Sequence, residues 1–134
     1  MSHSTFRFEL WPEPLAIVRL APDFSVPSWV GGGFTSVTRT PTELSIVCAE
    51  ACVPADVYKR QERGRVALGI VGTIPMSTIG ILAALCRTLA AAEVPVFALS
   101  TFDTDWLLVP RERLAAACSA LRAAGHAVEG SLDG

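Results

Sequence analysis

The chain has 134 residues, of which 51% are hydrophobic and 18% are charged, and its formal net charge is −2. The charged fraction is below the roughly 25% typical of globular domains, so much of the surface is expected to be buried, some of it in a dimer. The densest basic stretch, residues 59–65, is interrupted by Glu62. That pattern is typical of a solvated loop and argues against a nucleic-acid-binding surface.

The first half of the chain is predicted to contain strands and short helical turns. Four apolar or alternating runs predict strands, at residues 6–10, 15–20, 34–39 and 43–48. We interpret the first run as an added edge strand, and the last two as a hairpin around the Thr-Pro-Thr turn at 40–42. Short helical turns are expected within residues 22–30 and 51–61, the second with Pro54 near its start. This order is that of an abbreviated strand–turn–hairpin–turn unit, which would take its last strand from residues 65–71.

The second half carries the order strand, helix, strand, strand, helix, strand. Strands are predicted at residues 65–71, 96–100, 106–109 and 126–129, and helices at residues 77–92 and 111–124. Ser77 is the expected N-cap of the first helix, and Pro110 and Gly125 are expected at the two ends of the second. The apolar stripe of the first helix comprises Ile79, Leu82, Leu85, Cys86 and Leu89. The turn at 102–104 is short enough only for an antiparallel hairpin, so the order predicts an α+β, ferredoxin-like βαββαβ fold with two helices on one face of an antiparallel sheet.

Residues 66–86 form an uncharged run of 21 residues, a length that can cross a bilayer. Within this run lies the loop-forming segment of residues 72–78, which contains Pro75. Lipid would leave such irregular backbone without hydrogen-bond partners. A buried strand, a loop and a helix are therefore expected instead, and no membrane association.

No metal site, cofactor or catalytic group is expected. The four cysteines form no CxxC pair, and Cys48 and Cys52 have no second ligand pair or histidine cluster that would complete a zinc site. His3 and His126 lie in an N-terminal tail and at a strand start, and no serine or cysteine has a base next to it in sequence. The cysteine pattern, and an N-terminus without a basic region and an apolar core, favour a cytoplasmic location.

Two strings in the second half resemble a known family. In residues 72–82 and 96–109, a glycine and Ser-Thr at a helix start are followed about twenty residues later by Ser-Thr-Phe-x-Thr-Asp. The strings resemble the ACT domains of small bacterial tandem-ACT proteins, and are similar to those of the CASTOR arginine sensors and, more distantly, of aspartate kinases. The first half resembles the same small bacterial proteins through residues 15–20, Trp29 and residues 47–54, less distinctively.

This resemblance implies two ACT-like units in tandem with antiparallel sheets, an abbreviated one at residues 1–62 and a complete one at residues 63–134. It also implies a regulatory, allosteric module that binds an amino acid. Such domains usually work in side-by-side pairs with the ligand at the ACT–ACT interface, within one chain or in a homodimer.

The expected ligand site combines the loop before the first helix with the hairpin turn. Glycine at position 72 permits close approach of the backbone, and a helix N-terminus with serine and threonine hydroxyls suits a carboxylate. Acidic residues in the hairpin suit an ammonium or guanidinium group. The predicted ligand-binding residues are Gly72, Thr73, Ile74, Ser77, Thr78, Thr101, Asp103 and Asp105.

Several of these residues also have a purely structural interpretation. Ser77 can cap its helix, Asp103 can stabilise the hairpin as an Asx-type turn residue, and Asp105 can lie in solvent at a strand end. Gly72 and Gly80 can serve helix–sheet packing.

The first hypothesis is therefore a non-enzymatic sensing protein that binds an amino acid or a similar small carboxylate. The second is a protein–protein interaction module without a ligand. A third, minor hypothesis is a small enzyme with an unrecognised site.

Overall fold

The computed structural model describes residues 5–55 and 59–133. Its strands are β1 (Arg7–Leu10), β2 (Leu15–Leu20), β3 (Ser36–Arg39), β4 (Leu44–Ala49), β5 (Gln61–Ile70), β6 (Phe97–Ser100), β7 (Asp105–Pro110) and β8 (Ala127–Glu129). Its helices are α1 (Ile81–Ala91) and α2 (Leu114–Ala123), with 3-10 turns at Glu50–Cys52 and Arg111–Arg113. The chain divides into two compact units, the N-terminal unit (Glu13–Arg65) and the C-terminal unit (Met1–Pro12 with Val66–Gly134).

The N-terminal unit is built on strands in the order β3-β4-β2-β5. β2 pairs antiparallel with β4, from Leu15 opposite Ala49 to Leu20 opposite Leu44, and with the beginning of β5 on its other side. β3 and β4 form the predicted hairpin. The last strand of the unit is supplied by residues 61–65, because β5 begins earlier than the sequence predicts.

The segment between β2 and β3, the first connection of the N-terminal unit, contains tight turns. The helical turn that we expected within residues 22–30 does not form. Phe24 donates its N–H to the carbonyl of Ala21 (3.1 Å), and Val30 donates to that of Pro27 (3.3 Å). The two prolines of this segment oppose a helix because each disfavours the helical conformation in the residue before it.

The segment between β4 and β5, the second connection, begins with the 3-10 turn at Glu50–Cys52. This turn precedes Pro54, whereas the expected helix would have started near that proline. Residues 56–58 of the segment expected to be helical lie outside the described residues. One face of the strands forms the core of this unit, with Trp29 and Val30 packed against it. The buried residues are Ala16, Val18, Leu20, Leu44, Ile46, Cys48 and Val53.

The C-terminal unit has the strand order β8-β1-β5-β7-β6. β1 pairs antiparallel with β5 and parallel with β8, so that Glu9 lies opposite both Gly69 and Glu129. The prediction that residues 6–10 form an edge strand is therefore wrong, because β1 has a hydrogen-bonded neighbour on each side. β6 and β7 form the predicted antiparallel hairpin.

The core of the C-terminal unit joins one face of its sheet to both helices. Alternate residues of the strands point to this face, since successive side chains of a strand lie on opposite sides. The buried residues are Phe8, Leu10, Val66, Leu68, Ile70, Leu107 and Val109 of the strands, Leu85 and Leu89 of α1, Val94, and Ala117 and Leu121 of α2.

Helix α1 begins at Ile81, and the prediction of Ser77 as its N-cap is wrong. The N–H of Thr78 donates to the carbonyl of Pro75 at 3.0 Å, so the segment around Ser77 forms a turn. Gly80 occupies the N-cap position with φ +84°, a left-handed conformation that glycine adopts without strain. The loop before the helix is therefore longer than the sequence indicates.

The apolar stripe of α1 is placed as predicted from Leu82 onward, with Leu85 and Leu89 buried. Ile79 was expected on the same stripe, but it precedes the helix and is 93% exposed. The second predicted helix starts as the 3-10 turn Arg111–Arg113 and becomes α-helical only at Leu114.

Both helices end in a Schellman motif. After α2, Gly125 (φ +97°) donates its N–H to the carbonyl of Arg122 at 3.0 Å, in agreement with the predicted cap. After α1, the equivalent position is taken by Glu93 (φ +59°), which donates to Ala90 at 3.0 Å. In each motif the next residue donates to the carbonyl five positions back.

The uncharged run of residues 66–86 divides into part of β5, a loop and the first turns of α1. No helix among the described residues combines the length and the hydropathy needed to span a membrane.

Candidate functional site

A cleft of about 340 Å³ lies between the loop that follows β5 and the β6–β7 hairpin. We call it the loop–hairpin cleft. It is lined by Ile74, Pro75, Met76 and Thr78 of the loop, Gly80, Ile81, Leu82 and Ala83 at the start of α1, and Ser100, Thr101, Phe102, Thr104 and Asp105 of the hairpin. Four of the predicted site residues are thus gathered there, namely Ile74, Thr78, Thr101 and Asp105.

Two hydrogen bonds connect the segments on either side of this cleft. The N–H of Ile74 donates to the carbonyl of Asp103 at 2.7 Å. The hydroxyl of Thr104 donates to the carbonyl of Ile70, the last residue of β5, at 2.9 Å. These hydrogen bonds hold the hairpin turn against both the loop and the end of β5.

Asp105 is the one ionisable residue in the lining of the loop–hairpin cleft. It is half-buried, and its Oδ1 accepts a hydrogen bond from the hydroxyl of Ser100 at 2.6 Å. The two residues lie directly opposite each other on β7 and β6. A carboxylate accepts several hydrogen bonds, so this contact orients Asp105 and leaves it further acceptor capacity.

The turn of the hairpin is closed by Thr101. Its N–H donates to the carbonyl of Thr104 at 2.8 Å, and its hydroxyl accepts from the N–H of Thr104 at 3.3 Å. A threonine hydroxyl thereby has the turn-stabilising role that the structural interpretation gave to Asp103.

The N-terminus of α1 borders the cleft without a side-chain cap. Within the described part of the chain, no side chain caps this helix by a hydrogen bond, and its first turn contains no acidic residue. The first N–H groups of a helix have no partner within the helix and carry the positive end of its dipole. Gly80 and Ile81, rather than Ser77, bring these groups to the cleft.

The other predicted site residues lie elsewhere. Gly72 and Asp103 line a second cavity, while Thr73 and Ser77 are exposed and line neither. We call this second cavity, of about 400 Å³, the tryptophan cavity. It is lined by Glu9, Leu10, Trp11, Pro12, Gly69, Ile70, Val71, Gly72, Asp103, Thr104 and Trp106.

Two lining residues of the loop–hairpin cleft were absent from the sequence-based prediction although the sequence held a signal for them. Ser100 follows from the hairpin itself, because a four-residue turn at 101–104 places it opposite Asp105. Gly80 follows from the preference of glycine for left-handed backbone at the edge of a helix.

His126 and the cysteines lie outside both cavities. Burial lowers the pKa of His126, and its Nδ1 accepts a hydrogen bond from the N–H of Phe6 at 3.0 Å. Burial raises the pKa of the thiols of Cys48 and Cys118. Within the part of the chain that the structure describes, no three His, Cys, Asp or Glu side chains are grouped so as to hold a metal ion.

Comparison with known proteins identifies the family. The model of the ACT-domain family matches residues 61–123, the segment that carries the loop–hairpin cleft. This chain is an ACT-domain protein. A second family model, described as an N-terminal domain, matches residues 13–56 of the ACT-domain protein. No curated protein matches this chain.

Solved structures share the fold over nearly the whole ACT-domain protein. The Agrobacterium tumefaciens protein Atu0741 is 32% identical, with 98% of this chain and 96% of that chain covered and a TM-score of 0.87. A Vibrio cholerae protein of unknown function, described as a possible transport protein, is 15% identical over 90% of each chain, with a TM-score of 0.68. The ligand-free regulatory subunit of aspartate kinase from Thermus thermophilus is 13% identical, with 87% and 95% covered and a TM-score of 0.58. At these identities the last two show a common fold.

Proposed function

We propose that this ACT-domain protein is regulatory and that it binds an amino acid, or a similar small carboxylate, in the loop–hairpin cleft. The observation that carries the proposal is the pairing of an uncapped helix N-terminus with a half-buried carboxylate, Asp105, in the lining of one cleft. An amino acid has the complementary pair of charges on adjacent groups.

The carboxylate of the ligand would bind at the start of α1. The N–H groups of that turn lack a side-chain acceptor, and the dipole of the helix favours an anion there. The hydroxyl of Thr78, in the lining of the same cleft, is a further donor, whereas that of Thr101 already donates to the carbonyl of Thr104 at 3.1 Å.

The ammonium of the ligand would bind to Asp105. The bond from Ser100 fixes the orientation of this carboxylate, and a charge-assisted hydrogen bond to an ammonium is about twice as strong as a neutral one. Asp103, the other acidic residue of the hairpin, lines the tryptophan cavity and is not part of this interaction.

The rest of the lining favours a ligand with a neutral, apolar side chain. Ile74, Met76, Leu82 and Phe102 provide apolar surface, and no basic residue is present in the lining to neutralise an acidic side chain. The cleft volume of about 340 Å³ is at the small end of the roughly 300–1,000 Å³ found for ligand pockets. A single amino acid fits that size.

Thermal unfolding in the presence of each of the twenty amino acids tests the proposal. At 100 times its dissociation constant, a ligand stabilises the folded state by about 2.7 kcal/mol, and we expect the largest shift for an apolar amino acid. Asp105→Asn should abolish that shift, whereas Asp103→Asn, which also removes one acid of the hairpin, should preserve it. If no amino acid shifts the transition at millimolar concentration, or if both variants respond like the wild type, the proposed site is wrong.

A second candidate function, an interaction module without a ligand, is favoured by the apolar residues near the cleft. Met76 is 75% exposed, Ile79 93% and Phe102 80%. A patch of exposed apolar surface is typical of an interaction site, and Met76 and Phe102 line the same cleft. Sedimentation with and without the amino acid that gives the largest shift separates the two functions. Self-association that no amino acid alters, and that Ile79→Asp abolishes, would favour the interaction module.

A further inference from the structure

The tryptophan cavity has an indole ring held against the backbone of the sheet. A Cβ built at Gly69 would lie 2.6–2.7 Å from three neighbouring carbons of the Trp106 ring. Because these three distances are nearly equal, the Cβ position lies over the face of the ring and not beside its edge. One face of the indole therefore packs on Gly69, which only glycine permits, and Trp106 is part of the lining of the cavity. Trp11 adds a second indole to the lining.

The charged groups of this cavity are all acidic. Glu9 and Asp103 belong to the lining, and among the residues that the structure describes no lysine, arginine or histidine does. Glu9 lies directly opposite Gly69 in the β1–β5 pair, so its side chain projects to the sheet face on which Trp106 packs.

One further acid and one base lie beside Glu9. Glu9 also lies opposite Glu129 on β8, which places two acidic side chains on the same face. Arg7, the nearest base on this strand, is directed to Glu129 at 3.9 Å. Since Arg7 is directed to Glu129, the lining of the cavity combines aromatic surface with the negative charge of Glu9 and Asp103.

We propose that the tryptophan cavity is a second binding site, for an organic cation carrying an ammonium or guanidinium group. A cation on the face of an indole is attracted by the ring quadrupole, and nearby carboxylates add charge-assisted contacts. The cavity volume of about 400 Å³ accommodates a small amine or a single cationic side chain. This site adjoins the loop–hairpin cleft, since Thr104 lines both, but it does not depend on the function proposed for that cleft.

Tryptophan fluorescence reports on the site directly, because two of the three tryptophans of the chain, Trp11 and Trp106, belong to its lining. We would titrate the whole protein with choline, with agmatine, and with 3,3-dimethylbutan-1-ol, a neutral analogue of choline of the same shape. At least one cation should give a saturable change, and the alcohol should bind about fivefold more weakly than choline or not at all.

Variants locate the response. Glu9→Gln should weaken binding of the responding cation about threefold, while Glu112→Gln, which removes an exposed acid elsewhere in the C-terminal unit, should not. Trp29→Phe removes the third tryptophan and should retain the response. Asp105→Asn should retain it as well, even where it abolishes an amino-acid shift.

Three results would overturn the proposal. One is the lack of a saturable change with either cation, and another is equal binding of choline and its neutral analogue, which would reveal a merely apolar cavity. The third is a response that Glu9→Gln leaves unchanged or that Trp29→Phe removes.

Discussion

The two units of this ACT-domain protein share an arrangement of strands but differ in what covers them. In the N-terminal unit the β3–β4 hairpin lies on one side of β2, and β5 lies on the other. In the C-terminal unit the β6–β7 hairpin lies on one side of β5, and β8 lies toward the other. In the C-terminal unit α1 and α2 cover one face of the sheet, whereas in the N-terminal unit the two connections hold tight turns and a 3-10 turn. Among the described residues, the strand arrangement of the N-terminal unit forms without an α-helix. In the C-terminal unit, α1 adds a helix N-terminus at the border of the loop–hairpin cleft.

The largest expected effect concerns the helical cover itself. Leu89 of α1 is fully buried, so Leu89→Ala should lower the free energy of unfolding by about 2–5 kcal/mol. Val30 is only half-buried in the turn that covers the N-terminal unit, so Val30→Ala should cost about 1 kcal/mol or less. Urea denaturation followed by circular dichroism measures both.

Ile79→Ala is the matched control for this prediction, because Ile79 precedes α1 and is exposed. It should change stability by less than about 0.5 kcal/mol. Equal losses of unfolding free energy for Leu89→Ala and Val30→Ala would contradict the prediction. They would mean that the turns of the N-terminal unit contribute as much to stability as the helices of the C-terminal unit.

A smaller effect concerns how the helices end. Glu93 holds a left-handed conformation (φ +59°) that glycine adopts without cost, so Glu93→Gly should stabilise the protein by about 0.5–1 kcal/mol. The opposite change at the equivalent position of α2, Gly125→Ala, should destabilise it by about 1 kcal/mol or more, since a Cβ there also approaches Thr5 at 3.3 Å. Thermal melting tests both. A loss of stability in Glu93→Gly would show that its side chain makes a contact that outweighs the strain.

The smallest effect concerns β1, the strand that is inserted only in the C-terminal unit. Nδ1 of His126 accepts from Phe6, and the N–H of Ala127 donates to the carbonyl of Phe6, both at 3.0 Å. The imidazole also stacks on Phe6 (5.8 Å, 15°) and meets the ring of Phe8 edge-on (5.6 Å, 90°). Burial lowers the pKa of His126 below its ordinary 6.5, so the neutral ring is the form that the folded state favours.

The unfolded chain therefore binds the proton more tightly than the folded one, and the contribution of His126 to stability should be complete above pH 6.5 and decline as the pH falls. A titration of the histidine ring signals by NMR, assigned with His126→Asn, measures the folded pKa directly. The wild type should lose stability relative to this variant below pH 6.5. A folded pKa at or above 6.5 would contradict the prediction.

The strands were predictable because the order of apolar and polar side chains along the chain indicates a strand. The alternation and short turns of the two hairpins predicted that both would form, whereas the pairing of Ser100 with Asp105 is known only from the structure. The position of β1 was not predictable, because an edge strand and an interior strand differ in backbone hydrogen bonds, which leave no mark on side-chain periodicity. The sequence of residues 6–10 fits both equally well.

The start of α1 was predicted wrongly because Ser77 has the chemistry of an N-cap and stands two residues after Pro75. A turn from Pro75 to Thr78 uses the same residue types, and only the left-handed Gly80 determines where the helix begins. The sequence grouped the loop with both acids of the hairpin. Whether Asp103 and Asp105 line the same cavity depends on the three-dimensional path of the turn, and the structure places them in different ones.

The insertion of β1 has a consequence for how this protein is made. Phe6 and His126, whose hydrogen bond joins β1 to the start of β8, are 120 residues apart in the chain. At about 5–20 residues per second, a ribosome synthesises β8 roughly 6–24 seconds after β1. Until then Phe8 and Leu10 have no completed sheet in which to be buried, and contacts of such long range also slow folding. During translation, these two apolar side chains therefore remain without their final burial until the end of the chain has been made.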